Sequence, residues 1–228
     1  MKQPGLTILG TDTDVGKTYV ACLIIQSLMK QGFRVGAYKP VASGASSVEQ
    51  SDGFLLWLAT GQRRSLDDVN PQFFQAPLAP PIAAELEGKQ VSEIQILAGA
   101  RKWSDGCDLI VVEGAGGLMS PISWTMTNAN LALDLSFPVI LVAANRLGVV
   151  NQVLTSLLAA RTLGLKVGCI VLNDVHRNEE LCSGANERML RRFLEQDTKH
   201  VEIARLSHAA KEFTPNVDWI GIASGPGE

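Results

Sequence analysis

One stretch constrains this chain more than any other: Gly10-Thr11-Asp12-Thr13-Asp14-Val15-Gly16-Lys17-Thr18, set between the apolar run Leu6–Leu9 and a helical pattern from Gly16 to Lys30. Backbone N–H groups where a helix follows a strand can hold phosphate oxygens. A lysine there can neutralise β/γ oxygens, and a threonine hydroxyl can ligate magnesium. Five residues separate the two glycines, one more than in the usual GxxxxGK[ST] pattern. An ordinary glycine-containing turn is the alternative, but Gly-Lys-Thr between strand and helix favours a nucleotide loop. Such a loop belongs to a parallel sheet, and the remaining pattern has that form.

Apolar runs at Leu6–Leu9, Val35–Lys39, Leu109–Glu113, Val139–Ala143 and Val167–Leu172 alternate with helical patterns. The helices are expected over Gly16–Lys30, after Asp52, near Val91–Trp103, over Asn151–Leu163 and over about Ala185–Glu195. This order indicates parallel strands joined by helical crossovers. The strands read as continuous apolar runs, which a sheet covered on both faces requires, so the expected class is a doubly wound α/β fold. Gly32 and Gly164 are placed to close their helices. Val41–Ser51 and Leu66–Pro81, with Pro71, Pro77, Pro80 and Pro81, are expected to be loops. The 228 residues are expected to form one domain, 1–228.

A net charge of −3, with Lys and Arg scattered, provides no basic stripe, so no nucleic-acid partner is expected. Cys22, Cys107, Cys169 and Cys182 form no CxxC pair, and His176, His200 and His208 stand at no metal-ligand spacing. Reduced thiols in a cytoplasmic protein are the simplest reading. Tyr19–Met29 and Pro138–Ala144 are the most apolar stretches. Both are shorter than the ~20 residues that cross a bilayer, so no membrane span is expected. The run Leu6–Leu9 meets Asp12 and Asp14 at once and makes no signal-peptide core.

Three further positions carry chemistry. Glu113 ends an apolar strand and precedes Gly114-Ala115-Gly116-Gly117, at the sheet edge where open α/β folds bind ligands. It reads as a metal ligand or an acid just behind one, against the alternative of a solvated strand end. Lys39 ends the second strand near the same edge and could brace phosphate charge, although a strand-end lysine more often reaches to water. Ser51-Asp52 reads as a helix N-cap as readily as a magnesium ligand.

Together GTDTDVGKT, YKPVASG, Ser51-Asp52, VVEGAGGLMSPI, PVILVAANRLGVVNQ and VLNDV resemble the dethiobiotin synthetase family over roughly Leu6–Asp174, about three quarters of the chain. The resemblance implies a P-loop fold working as a homodimer. The implied reaction is the ATP-dependent closure of dethiobiotin from 7,8-diaminononanoate and carbon dioxide, in biotin synthesis. It implies that Asp14, Val15, Gly16, Lys17, Thr18 and Tyr19 cradle phosphates and that Thr18, Asp52 and Glu113 surround magnesium. Lys17 and Lys39 would stabilise the transferring phosphoryl group, and Ser43 would touch the diamine or its carbamate. Glu113, Gly114, Ala115 and Gly116 would line the nucleotide, with Asn173 and Asp174 at the adenine. Gly148, Val149, Val150 and Asn151 would receive the substrate carboxylate from the partner subunit.

The chain departs from the family pattern at Ala79-Pro80-Pro81, where many members carry Ser-Pro-His, and at Ala204-Arg205-Leu206, where Pro-Trp-Leu is expected near the purine. Three other readings stay open: a catalytically silent nucleotide-binding module, which product formation would exclude, and two with an activity of their own. One is an amidoligase of cobyrinic or cobyric acid type, which normally carries an added glutamine-hydrolysing domain. The other is a partition-type switch ATPase, which would show a second lysine where Thr11, Asp12 and Thr13 stand.

Overall fold

Apolar runs without polar alternation are stable only between two layers. The computed structural model of the chain, which describes residues 3–177, 180–195 and 201–225 and gives only the backbone of residues 104 and 180–183, has that arrangement. In chain order its strands are β1 (Gly5–Gly10), β2 (Val35–Tyr38), β3 (Ala42–Ser43), β4 (Phe73–Phe74), β5 (Leu109–Gly117), β6 (Val139–Ala144), β7 (Val167–Asn173) and β8 (Glu202–Leu206). The helices are α1 (Lys17–Lys30), α2 (Asp52–Ala59), α3 (Leu66–Val69), α4 (Pro80–Leu86), α5 (Glu93–Arg101), α6 (Asn128–Leu135), α7 (Val149–Thr162), α8 (Glu180–Leu194) and α9 (Trp219–Ser224). Six strands form one sheet in the order β2-β5-β1-β6-β7-β8, with every pairing parallel.

Successive strand residues serve opposite faces, and both faces are buried. Ile140, Val142, Cys169, Val171, Ala204 and Leu206 pack with Val20 and Ile24 of α1 and Trp219 of α9. Their neighbours Leu141, Ala143, Ile170, Leu172 and Ile203 pack with Val153 and Leu157 of α7 and Leu190 and Leu194 of α8. This is the doubly wound sheet expected from the runs.

The α1 side chains Val20, Leu23, Ile24 and Leu28 fall at helical spacing and are all buried. Burying a Val, Leu or Ile side chain contributes about 1.5–3 kcal/mol, so this stripe anchors the helix that begins at the phosphate loop. Gly32 (φ 94) and Gly164 (φ 74) follow the last turns of α1 and α7 in the left-handed conformation, which an L side chain resists.

Several boundaries differ from the sequence reading. The stretches expected as loops, Val41–Ser51 and Leu66–Pro81, contain β3 and β4, paired in parallel as Ala42↔Phe73 and Ser43↔Phe74, together with α3 and the start of α4. Two-residue strands are too short to show a period. Pro80 and Pro81 sit in the first turn of α4, where a missing N–H is tolerated, so they begin a helix instead of preventing one. Helix α7 starts at Val149, because Gly148 (φ 94) is its N-cap and Asn151 is already inside. β5 continues through Gly114–Gly117. The alternation of apolar runs does not indicate α6, β8 or α9.

Cys22, Cys107 and Cys169 are free thiols, while His200 and the side chain of Cys182 lie outside the described residues. No helix among the described residues is long and apolar enough to cross a membrane.

Candidate active site

The central strand β1 delivers the chain to the carboxyl edge of the sheet, where the loop from Gly10 turns back into α1. Thr11 N donates to Val142 O on β6 (2.9 Å), tying the start of the loop to the neighbouring strand. Asp14 (φ 54) and Gly16 (φ 86) turn the backbone left-handed, and Gly16 caps α1 without any side-chain bond. The helix start therefore presents its N–H groups to an anion. Asn173, at the end of β7, donates from Nδ2 to Val15 O (3.0 Å) and lies where a side chain on Gly16 would have to go. Lys17 Nζ donates to Asp12 O (3.1 Å). Burial holds the Lys17 ammonium below the usual lysine range, and nearby Lys39 pushes the same way.

The second half of the site is a buried ion cluster. Lys39 Nζ is 2.6 Å from Glu113 Oε1 and 3.0 Å from Asp52 Oδ2, and it donates to Gly114 O at 3.1 Å. Lys39 is 1% exposed and Glu113 0%, so neither the snorkelling lysine nor the solvated strand-end acid occurs. Burial alone would lower the Lys39 pKa, but Glu113 and Asp52 together hold it above the usual range. Burial raises the Glu113 carboxyl against the pull of Lys39, while Lys39 depresses that of Asp52. Glu113 is therefore the carboxylate of this pair that is neutralised first as pH falls.

Thr18 Oγ1 donates to Glu113 Oε1 (2.8 Å), joining the phosphate loop to the cluster. Ser51 alone is the N-cap of α2, accepting from Phe54 N (3.2 Å), so the Asp52 carboxylate is available to Lys39. The site thus brings together Lys17, Thr18, Lys39, Asp52 and Glu113 from four separate segments.

These residues fit a magnesium ion as a partial ligand set. Among the described residues, no group of three or more His, Cys, Asp and Glu could hold a metal. What is present is one hydroxyl and two carboxylates, and Glu113 Oε2 is buried with no hydrogen-bond partner. Magnesium is commonly held by one or two carboxylates, with substrate phosphates and water completing the octahedron, and a hard oxygen set of this size suits that role.

The other sequence candidates lie around this centre. Ser43 Oγ donates to Leu78 O (2.7 Å) and is not joined to the cluster. Tyr19 Oη donates to Ala210 O (2.7 Å), fastening the segment after β8 to α1. Asp174 accepts from Asn145 Nδ2 (2.7 Å) and lines a cavity of about 540 Å³ with Arg205 and His208 at the ends of β7 and β8. Arg205, one of the departures from the family pattern, thus belongs to the wall of that cavity. Gly148–Asn151 open α7 beyond β6, and a side chain on Gly148 would meet nothing within 4 Å. The hydroxyl of Thr11 is buried without a hydrogen-bond partner, a loop feature that the motif spacing does not reveal.

The sequence comparisons agree with this geometry. The family described as AAA domain matches residues 4–208. The ATP-dependent dethiobiotin synthetase BioD of Rhodopirellula baltica is 39% identical over 201 residues, covering 82% of this chain and 78% of that protein. The chain belongs to the dethiobiotin synthetase family. The same-named protein of Anaeromyxobacter dehalogenans is 37% identical over 204 residues, covering 90% of this chain and 86% of the relative. Dethiobiotin synthetases are ATP-dependent ligases of biotin synthesis, and that activity fits a sheet edge carrying a phosphate loop beside a buried lysine–carboxylate cluster. Among solved structures, the MinC:MinD cell division complex of Aquifex aeolicus contains a chain alike in fold, with a TM-score of 0.54 at 14% identity, covering 91% of this chain and 82% of that one.

Proposed function

We propose that this dethiobiotin synthetase phosphorylates a carbamate of 7,8-diaminononanoate and then closes the ring by internal amine attack. The observation that carries the reading is the convergence of Lys17, Thr18, Lys39, Asp52 and Glu113 on one point of the sheet edge. One amine of the substrate takes up carbon dioxide as a carbamate. A carbamate oxygen is a poor leaving group until it accepts the γ-phosphoryl of ATP, which releases ADP. The second amine then attacks the carbonyl of the carbamic–phosphoric anhydride and expels phosphate, losing its proton.

The protein's part is positioning and charge stabilisation. The α1 start and Lys17 hold the triphosphate, and Lys39 meets charge that grows during transfer. Thr18, Asp52 and Glu113 hold magnesium, which neutralises phosphate oxygens when bound. Ser43 contacts the diamine or carbamate. Glu113–Gly116, Asn173 and Asp174 border the nucleotide. The chain acts as one domain in the cytoplasm, on small molecules, without nucleic acid or membrane.

Phosphate release should depend on the diamine, because the carbamate and not water is the acceptor. A phosphate assay with and without 7,8-diaminononanoate checks this. Brisk hydrolysis indifferent to the diamine would instead support a switch ATPase.

Glu113→Gln and Asp52→Asn should each raise the magnesium needed for half-maximal rate, since an amide is a poorer ligand for a hard dication. A magnesium titration separates the two: a response of Glu113→Gln alone would leave Asp52 as a counter-ion of Lys39.

The working form is proposed to be a homodimer with shared sites, in which Gly148, Val149, Val150 and Asn151 of one chain receive the substrate carboxylate bound mainly by the other. Support comes from the uncapped α7 start, a place that attracts anions. Leu147 just before it is 92% exposed, a large apolar side chain at the edge of the proposed contact. Mixing Lys39→Met chains with Val150→Asp chains should restore one good site in each mixed dimer, about one in four of all sites after free exchange of an equal mixture, because a twofold contact makes two composite sites. A mixture no better than its parents, despite proven subunit exchange, would remove the shared site.

A further inference from the structure

β5 does not match β1 residue for residue. Ile8 lies against Glu113 and Gly10 against Gly117, so Gly114, Ala115 and Gly116 stand opposite Leu9 alone. A bulge of this kind leaves backbone groups without ladder partners, and buried groups must find others. Side chains supply them. Lys39 Nζ donates to Gly114 O (3.1 Å), and Ser120 Oγ accepts from Gly117 N (2.9 Å). The middle is taken by Asn128: its Oδ1 accepts from Ala115 N (3.1 Å), and its Nδ2 donates to Ala115 O (2.7 Å) and Gly117 O (2.7 Å).

Asn128 is 0% exposed. It is the first residue of α6, held there by the Thr127–Asn130 capping box. A side chain on Gly114 would collide with Asn128 Oδ1, so the glycine makes room for the amide. The bulge it fills joins the two halves of the site. Glu113 immediately precedes it. Just after it, Leu118 N donates to Gly10 O (2.9 Å) at the start of the phosphate loop. Whatever fixes Ala115 and Gly117 therefore fixes the spacing between the Glu113 carboxylate and the loop.

We propose that Asn128 is a positioning residue of the active site, whose amide holds the β5 bulge so that Glu113 and the phosphate loop face one metal–triphosphate unit. It touches no substrate and acts through the backbone of Ala115 and Gly117. The inference rests on the metal and triphosphate roles proposed for Thr18, Asp52 and Glu113.

The test is Asn128→Leu, nearly the same size without hydrogen bonds. ADP binding is titrated by calorimetry with and without Mn²⁺, in the cold and well below the melting temperature of the variant. Loss of a residue that orients metal ligands typically costs 10–100-fold in metal affinity, so the strengthening of ADP binding by Mn²⁺ should fall by about tenfold or more. A merely structural role would lower the melting temperature and leave that metal-dependent strengthening unchanged, which would overturn the proposal. Should Asn128→Leu fail to fold, Asn128→Ala, which asks for no new volume, gives the same reading. The measurement needs no dethiobiotin formation, so failure of the proposed reaction is distinguishable from failure of this inference. A wild-type protein whose ADP binding ignores Mn²⁺ would overturn the metal reading and this inference together.

Discussion

Lys39→Met should lower kcat by about 10²–10³, the usual effect of removing one preorganised charge-stabilising donor, while ATP affinity stays within about tenfold. Methionine matches the length of the lysine stem, so the change removes an ammonium without opening a large cavity. It also leaves the Glu113 carboxylate, 0% exposed, without its cation at 2.6 Å. Breaking a buried pair by removing one partner costs about 3–5 kcal/mol, and the variant should melt at a clearly lower temperature.

Two features identify the cause of that loss. Without Lys39, burial and the neighbouring Asp52 carboxylate act on Glu113 against only the weaker pull of Lys17, and its folded pKa rises further above the unfolded value. A carboxyl shifted in that direction takes up a proton on folding, so the deficit is greatest at neutral pH and shrinks as pH falls toward the raised value. Added magnesium should recover part of the melting temperature, because a dication can replace the missing ammonium between Glu113 and Asp52. Steady-state rates, ATP calorimetry and melting curves at two pH values check all three parts. An unimpaired kcat would reduce Lys39 to a structural counter-ion.

Gly16→Ala should weaken nucleotide binding by about 10²-fold with the fold retained. Left-handed backbone costs an L residue roughly 1–2 kcal/mol, and a lost hydrogen bond adds about 1 kcal/mol, which together approach two orders of magnitude. The hydrogen bond at risk is that of Asn173 Nδ2 to Val15 O, since the new methyl collides with that nitrogen. The buried stripe of α1 should keep the helix in place. The double variant Gly16→Ala/Asn173→Ala removes the collision and should bind inorganic triphosphate, which has no base for Asn173 to border, better than Gly16→Ala alone. If the second change brings no recovery, the contact between β7 and the loop does not limit binding.

The parts of this site that the sequence reveals are those written in contiguous residues. The phosphate loop is one segment, and the strands announce themselves because Leu109–Val112 and Val139–Ala144 are apolar at every position. Lys39 is harder. Its position at a strand end was readable, but the partner that buries it, Glu113, lies 74 residues away, and nothing local distinguishes a buried strand-end lysine from one that reaches water. The Ser51–Asp52 ambiguity has the same origin, resolved only when Ser51 turns inward to cap α2 and leaves Asp52 to Lys39. β3 and β4 are too short to carry a period, and the prolines that suggested a loop open α4. The β5 bulge was illegible for another reason. Gly114-Ala115-Gly116-Gly117 carries no apolar strand pattern of its own, and only the amide of Asn128, arriving from a helix that the pattern does not suggest, makes it a fixed strand.

The most direct measurement of the central claim is product identity. The protein is incubated with 7,8-diaminononanoate, labelled bicarbonate, ATP and magnesium, and the mixture is examined by mass spectrometry. The expected result is dethiobiotin carrying the label in its ring carbonyl, formed together with ADP and phosphate. ADP and phosphate without labelled dethiobiotin, at a rate that ignores the diamine, would contradict the account.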